Sequence, residues 1–139
     1  MRLVRHRWLL IGFVLVIMLL FVVAQALPRQ DGLAFDGQRA YAHVTAQCAL
    51  GPRPAGSAAA QATAKYISDE LQRVGWQATY QDFTYQGVAL RNVIARRGQG
   101  SSPAILLGAH YDTRQRADRD RQNPNAPVPG ANDGASGVA

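Results

Sequence analysis

The 139-residue sequence predicts an α/β fold with a mixed, largely parallel sheet sandwiched by helices. Three observations support this. Two segments with a helical apolar period come first. Segments with strand character follow, and the last of them, residues 104–112, carries the continuous apolar run of a strand buried on both faces. A turn of small residues then leads into the start of another helix.

Residues 28–35 read as a linker. Asp36 is placed to cap a helix running to about Cys48, with Ala40, Val44 and Cys48 inward. "LGPRPAGS", residues 50–57, is a loop, because two prolines and two glycines exclude regular structure. Ser57 caps a second helix, whose apolar stripe is Ala60, Ala64, Ile67, Leu71 and Val74. Gly75 ends it in the left-handed region. The period then falls to two. Trp76, Ala78 and Tyr80 alternate with polar residues as in a half-buried strand, and "VALRNVIAR", residues 88–96, reads as a second strand. "RRGQGSSP" is a turn, 104–112 the third strand and 113–130 a long polar loop. "GASGVA", residues 134–139, reads as the first turn of a helix. No internal repeat is present.

The N-terminus has another character. Residues 1–7 hold Arg2, Arg5 and Arg7 and read as a basic cytoplasmic region. Residues 8–27 are apolar apart from Gly12 and Gln25. Twenty helical residues span ~30 Å, the thickness of a bilayer core. The run is longer than the ~7–15 residues of a signal-peptide core, which favours an uncleaved transmembrane anchor. Ala24-Gln25-Ala26 fits a cleavage site and supports the alternative of a signal sequence. A single-pass membrane protein with an extracytoplasmic domain is therefore expected, or a secreted or periplasmic one after cleavage. The formal net charge is +6, and removing the three arginines of residues 1–7 leaves +3. That excess is too small to argue for nucleic acid, and no arginine-aromatic stripe supports such a partner. The single cysteine, Cys48, cannot form an internal disulfide and reads as a small core residue.

The chemistry lies in "GAHYDTR", residues 108–114, and "GANDGASG", residues 130–137. Side chains at i and i+2 of a strand share a face, so His110 and Asp112 point the same way at a strand end. A neutral imidazole binds zinc well, and a carboxylate commonly holds its other nitrogen. His110 is thus a candidate zinc ligand and Asp112 the catalytic-site carboxylate behind it. Asp133 sits among small residues that let backbone and metal approach closely. Its two oxygens could bridge two cations ~3.5–4 Å apart. The alternative is that Asp133 merely caps the new helix.

"GAHYDTR…PGANDGASGVA" resembles the zinc exopeptidase family of bacterial and vacuolar aminopeptidases and glutaminyl cyclases. "GPRPAGS", "GWQATYQDFTY" and "NVIAR" resemble segments of that family as well, so the likeness covers roughly residues 45–139. It implies the phosphorylase/hydrolase-like fold and one or two zinc ions. His110 would bind one zinc, Asp133 would bind both, and Asp112 would orient His110. "TRQRADRD" and its long loop are similar to the bacterial glutaminyl-cyclase-like branch. The arginines and aspartates of that loop also read as a solvated surface.

The family's site further requires a glutamate base, more acidic ligands and a late histidine. The one glutamate here is Glu70, mid-helix, and the other histidines are His6 and His43, all before Asp133. Residues 36–139 are therefore expected to be the N-terminal part of such a domain, incomplete after the third strand and inactive alone. The expected function is removal of N-terminal residues from peptides outside the cytoplasm. The alternatives are cyclisation of an N-terminal glutamine to pyroglutamate, or a catalytically inactive membrane-anchored ectodomain. A metal-free ectodomain would be expected to lose His110 or Asp133, and both are present.

Overall fold

A computed structural model describes residues 16–19, 34–98, 100 and 105–139. The chain divides into two units, Met1–Phe35 and Asp36–Ala139. Of the first, residues 16–19 are helical. Among the described residues no helix is long and apolar enough to cross a membrane. The expected anchor or signal, 8–27, lies outside the described residues except for 16–19.

The second unit opens with α1, Gly37–Ala49. Asp36 caps it, its carboxylate accepting from the Arg39 amide at 3.0 Å, as its position before the apolar period predicts. The inward face differs from expectation. Ala40, Val44 and Cys48 are only half-buried, and the fully buried residue is Gln47. Gln47 belongs inside because its amide donates to the Ala135 carbonyl at 3.1 Å.

Helix α2, Ala58–Arg73, starts at Ser57, whose hydroxyl accepts from the Ala60 amide at 3.1 Å. It ends in a Schellman motif. Trp76 N–H bonds the Leu71 carbonyl and Gly75 N–H the Gln72 carbonyl, with Gly75 at φ +86°. Ala60 and Ala64 are buried and Ile67 and Leu71 half-buried, so the expected stripe is present. Val74 is exposed, since the chain has left the helix by then. The stripe packs α2 against both strands of a hairpin.

The hairpin comprises β1, Gln77–Tyr85, and β2, Val88–Arg96, antiparallel with Gln77 opposite Arg96 and Tyr85 opposite Val88. Gln86 and Gly87 both take positive φ, 49° and 79°, as a two-residue turn matched to strand twist demands. Across the strands Asp82 accepts two bonds from Arg91, at 2.6 and 2.8 Å, and the Arg91 guanidinium stacks over Tyr80.

Two expectations need correction. The sheet of the described residues has two antiparallel strands and is not parallel. Residues 105–112 form no ladder, and Ile105, Leu106 and Leu107 are each at least 85% exposed, where burial on both faces was expected. A parallel interior strand takes its hydrogen bonds from neighbours on each side, and no described strand pairs with this segment. What holds it is the 50–57 loop. Thr113 N–H donates to the Arg53 carbonyl at 2.9 Å, with a parallel bridge between Pro54 and Thr113.

After the 114–129 loop the backbone makes one wide turn, Ala131–Ala135, closed by Ala135 N–H on the Gly130 carbonyl at 3.2 Å. Helix α3, Ser136–Val138, follows as expected. Helix α1 packs against both the wide turn and α3.

Candidate metal centre

The segment after Leu107 and the wide turn meet at His110. Its Nδ1 lies 3.2 Å from Asp112 Oδ1 and 3.2 Å from the Asp112 carbonyl oxygen. Both neighbours only accept, so Nδ1 carries the proton. The other nitrogen, Nε2, then presents a lone pair, and 3.1 Å away stands Asp133 Oδ1. Two acceptors face each other at hydrogen-bond distance, an arrangement that a cation or an added proton between them relieves. Two atoms at ~2.0–2.2 Å from one tetrahedral zinc lie about 3.4 Å apart, close to the observed gap. Nitrogen and carboxylate oxygen are also a donor set that suits zinc.

The structure therefore brings together the three residues singled out in the sequence. All three are solvent-accessible, with side chains 58%, 47% and 65% exposed for His110, Asp112 and Asp133. A cavity of about 280 Å³ opens beside them, lined by His110, Asn132, Asp133 and Ser136 among others. Among the described residues no group of three His, Cys, Asp or Glu side chains forms a full metal cage. Asp133 caps no helix, because its side chain makes no capping bond at either the wide turn or α3. His43 and Glu70 lie elsewhere: His43 Nδ1 pairs with Tyr66 Oη at 2.7 Å, and Glu70 pairs with Arg73.

Backbone conformation aims Asp133 at the imidazole. Asp133 is extended, at φ −93° and ψ 94°, and Gly134 takes φ 106° and ψ −61° inside an otherwise helical turn. A Cβ on Gly134 would sit 3.0 Å from the Asp112 carbonyl and 3.4 Å from the imidazole Cε1. Only glycine combines this φ with this approach. Gly130 is confined similarly, since a Cβ there would overlap the Thr113 methyl and reach 2.8 Å from the Asp133 carbonyl.

Tyr111, between the two candidate residues, turns the opposite way and donates to the Arg91 carbonyl of β2 at 2.5 Å. Burial, followed by the negative charge of Asp112, raises its phenol above the ordinary value and keeps that donor protonated.

Sequence reasoning missed Arg53, the largest fully buried side chain among the described residues. Its guanidinium donates to the carbonyls of Tyr111 (3.0 Å), Gln47 (3.2 Å), Gly51 (3.2 Å), Pro129 (3.0 Å) and Gly130 (2.9 Å). An arginine between two prolines reads as solvated, and carbonyl acceptors leave no mark in a sequence.

Residues 92–139 match the family model described as Peptidase family M28. Several solved structures are similar, three of which follow. A leucine aminopeptidase precursor from Bacteroides thetaiotaomicron is 39% identical, with a TM-score of 0.68 over 75% of this chain. A Zn-dependent exopeptidase from Parabacteroides distasonis is 38% identical, with a TM-score of 0.67 over 75% of the chain. A glutaminyl cyclase from Bacteroides thetaiotaomicron, bound to N-acetylhistamine, is 39% identical, with a TM-score of 0.68 over 75% of the chain. The chain spans 38% of the length of each of these structures. Motif and fold agree in making this chain similar to zinc-dependent aminopeptidases and bacterial glutaminyl cyclases.

Proposed function

We propose that this chain carries the first metal-binding elements of a zinc-dependent exopeptidase that removes N-terminal residues from peptides. The observation that carries the reading is His110 Nε2 facing the Asp133 carboxylate at 3.1 Å while Asp112 lies against the other ring nitrogen. In this reading His110 and Asp133 would hold zinc, Asp133 having a carboxylate that could serve one ion or two. Zinc, when bound, polarises a substrate carbonyl and acidifies water near neutral pH. Asp112 keeps the proton on Nδ1, so that Nε2 stays available, and fixes the plane of the ring. Further ligands and a general base must complete the site.

In the intact protein, a strong chelator is expected to abolish release of N-terminal residues from peptides, and added zinc to restore it. Activity that persists after complete metal removal overturns the reading.

Cyclisation of N-terminal glutamine is a second reading. It is supported by equal likeness to the aminopeptidase precursor and the cyclase, both 39% identical with TM-scores of 0.68. Pyroglutamate formation from a glutaminyl peptide without release of free glutamine identifies the cyclase, and release of the free amino acid identifies the peptidase.

Arg2, Arg5 and Arg7 ahead of the apolar residues 8–27 favour anchoring in a membrane with residues 36–139 outside the cytoplasm. Added protease should then degrade that domain in cells whose cytoplasm remains sealed. Protection from it would place the domain inside.

A further inference from the structure

Arg53 is 0% exposed, and every partner of its side chain is a backbone carbonyl. A buried charge without a carboxylate is costly unless all its donors are used. A planar guanidinium with donors on all three nitrogens, each of them bonded here, meets that demand at several points of the chain at once, which a lysine ammonium cannot.

The location of those points is informative. The Tyr111 carbonyl lies between His110 and Asp112 in sequence, and the Arg53 amide itself donates to Thr113 Oγ1 at 2.9 Å. Pro129 and Gly130 immediately precede the wide turn. From α1, Gln47, also 0% exposed, holds Ala135 on the far side of Asp133. Residues before and after Asp133 are thus pinned, and the same guanidinium pins the segment bearing His110. Neither Arg53 nor Gln47 touches His110 or Asp133 through a hydrogen bond or ion pair.

We infer that Arg53, assisted by Gln47, is the positioning residue that sets the separation of His110 and Asp133, and through it the affinity and geometry of the metal site. The metal part of this inference rests on the function proposed above. The clamp acts through backbone placement, so its loss loosens two segments selectively.

The experiment compares the intact wild-type protein with Arg53→Lys, Arg53→Met and Gln47→Met. Three quantities are measured: zinc affinity by competition with a chromophoric chelator, the visible spectrum of the cobalt(II)-substituted protein, and amide hydrogen exchange. Both Arg53 variants are expected to bind zinc about 10–100-fold more weakly, as when a group supporting a ligand is removed. Their cobalt bands should shift, and exchange should rise across 110–113 and 130–135 while α2 stays protected. Gln47→Met should show the same pattern with smaller amplitude. Wild-type affinity, spectrum and exchange in the Arg53 variants overturn the inference. So does a uniform rise in exchange that includes α2, because the arginine would then be a general stabiliser. If neither Arg53 variant folds, Gln47→Met, which removes the amide's two bonds, to His43 and Ala135, and leaves the guanidinium, decides on the same three readouts. If the wild type takes up no zinc, the proposed function fails, and the exchange pattern alone judges the clamp.

Discussion

Nε2 of His110 stands 3.1 Å from Oδ1 of Asp133, although the two residues come from separate segments, while Nδ1 of the same ring lies 3.2 Å from the Asp112 carboxylate. In the proposed reading this geometry makes Asp133 a metal ligand and separates it from the acids of the 114–129 loop. Asp118, for comparison, is taken up by Arg114 at 2.5 Å. Asp133→Asn is expected to lower activity by more than the 10–100-fold typical of groups one step from the metal. Asp118→Asn should leave it nearly unchanged. Steady-state kinetics on one peptide substrate compares them, and equal losses would show that the turn acid has no special role.

Asp112→Ala tests the second half of the pair. The Asp112 carbonyl also accepts from Nδ1 at 3.2 Å, so the ring keeps one partner when the carboxylate is gone. The fall in zinc affinity should therefore sit near tenfold, the lower end of the usual range. Equilibrium competition with a chelator measures it, and an unchanged affinity would mean that the carboxylate does not orient the ring.

Gly134→Ala should be disproportionately harmful. Its φ of 106° and the Asp112 carbonyl 3.0 Å from a new Cβ add backbone strain to crowding. A loss of about 1–3 kcal/mol is expected from the strain alone. Gly137→Ala is the control, because its Cβ would meet Ala109 at an ordinary 3.6 Å. Denaturant unfolding of both variants distinguishes a special backbone from a merely small residue.

The hairpin carries a pH-dependent element. The Arg91 guanidinium hydrogen-bonded to Asp82 holds that carboxyl below its ordinary value of 3.8. A lowered folded-state value contributes stability that is present above the unfolded-state value and lost as pH falls through the folded one. The Tm difference between wild type and Asp82→Asn should thus be constant near neutrality and shrink as the pH drops below 3.8. A difference that persists undiminished in strong acid would assign the effect to packing.

What could be read from the sequence was local. Asp36, Ser57 and Gly75 announce helix ends because each satisfies or permits a backbone group within a few residues. The bounds of β2, 88–96, followed from alternation and flanking turn residues. The identities of His110, Asp112 and Asp133 were visible because so few side chains offer metal chemistry. Pairing was not visible: the apolar run at 105–107 signals burial, yet burial depends on partners elsewhere in the chain. Gln47 and Arg53 were invisible for a related reason, since polar side chains that bind distant carbonyls look like any surface glutamine or arginine.

The Arg53 guanidinium reaches Tyr111, Pro129 and Gly130 across 58, 76 and 77 positions of chain. Helices α1 and α2 close over one turn at a time, and the hairpin closes from a two-residue bend. Such local structure forms within microseconds, whereas joining remote points must first overcome the entropy of large loops. Assembly is consequently ordered in time, with helices and hairpin early and the arginine hub late. On the function proposed above, ion capture would then report that folding has finished, and a nascent chain that has not yet emerged as far as Gly130 could not make that report.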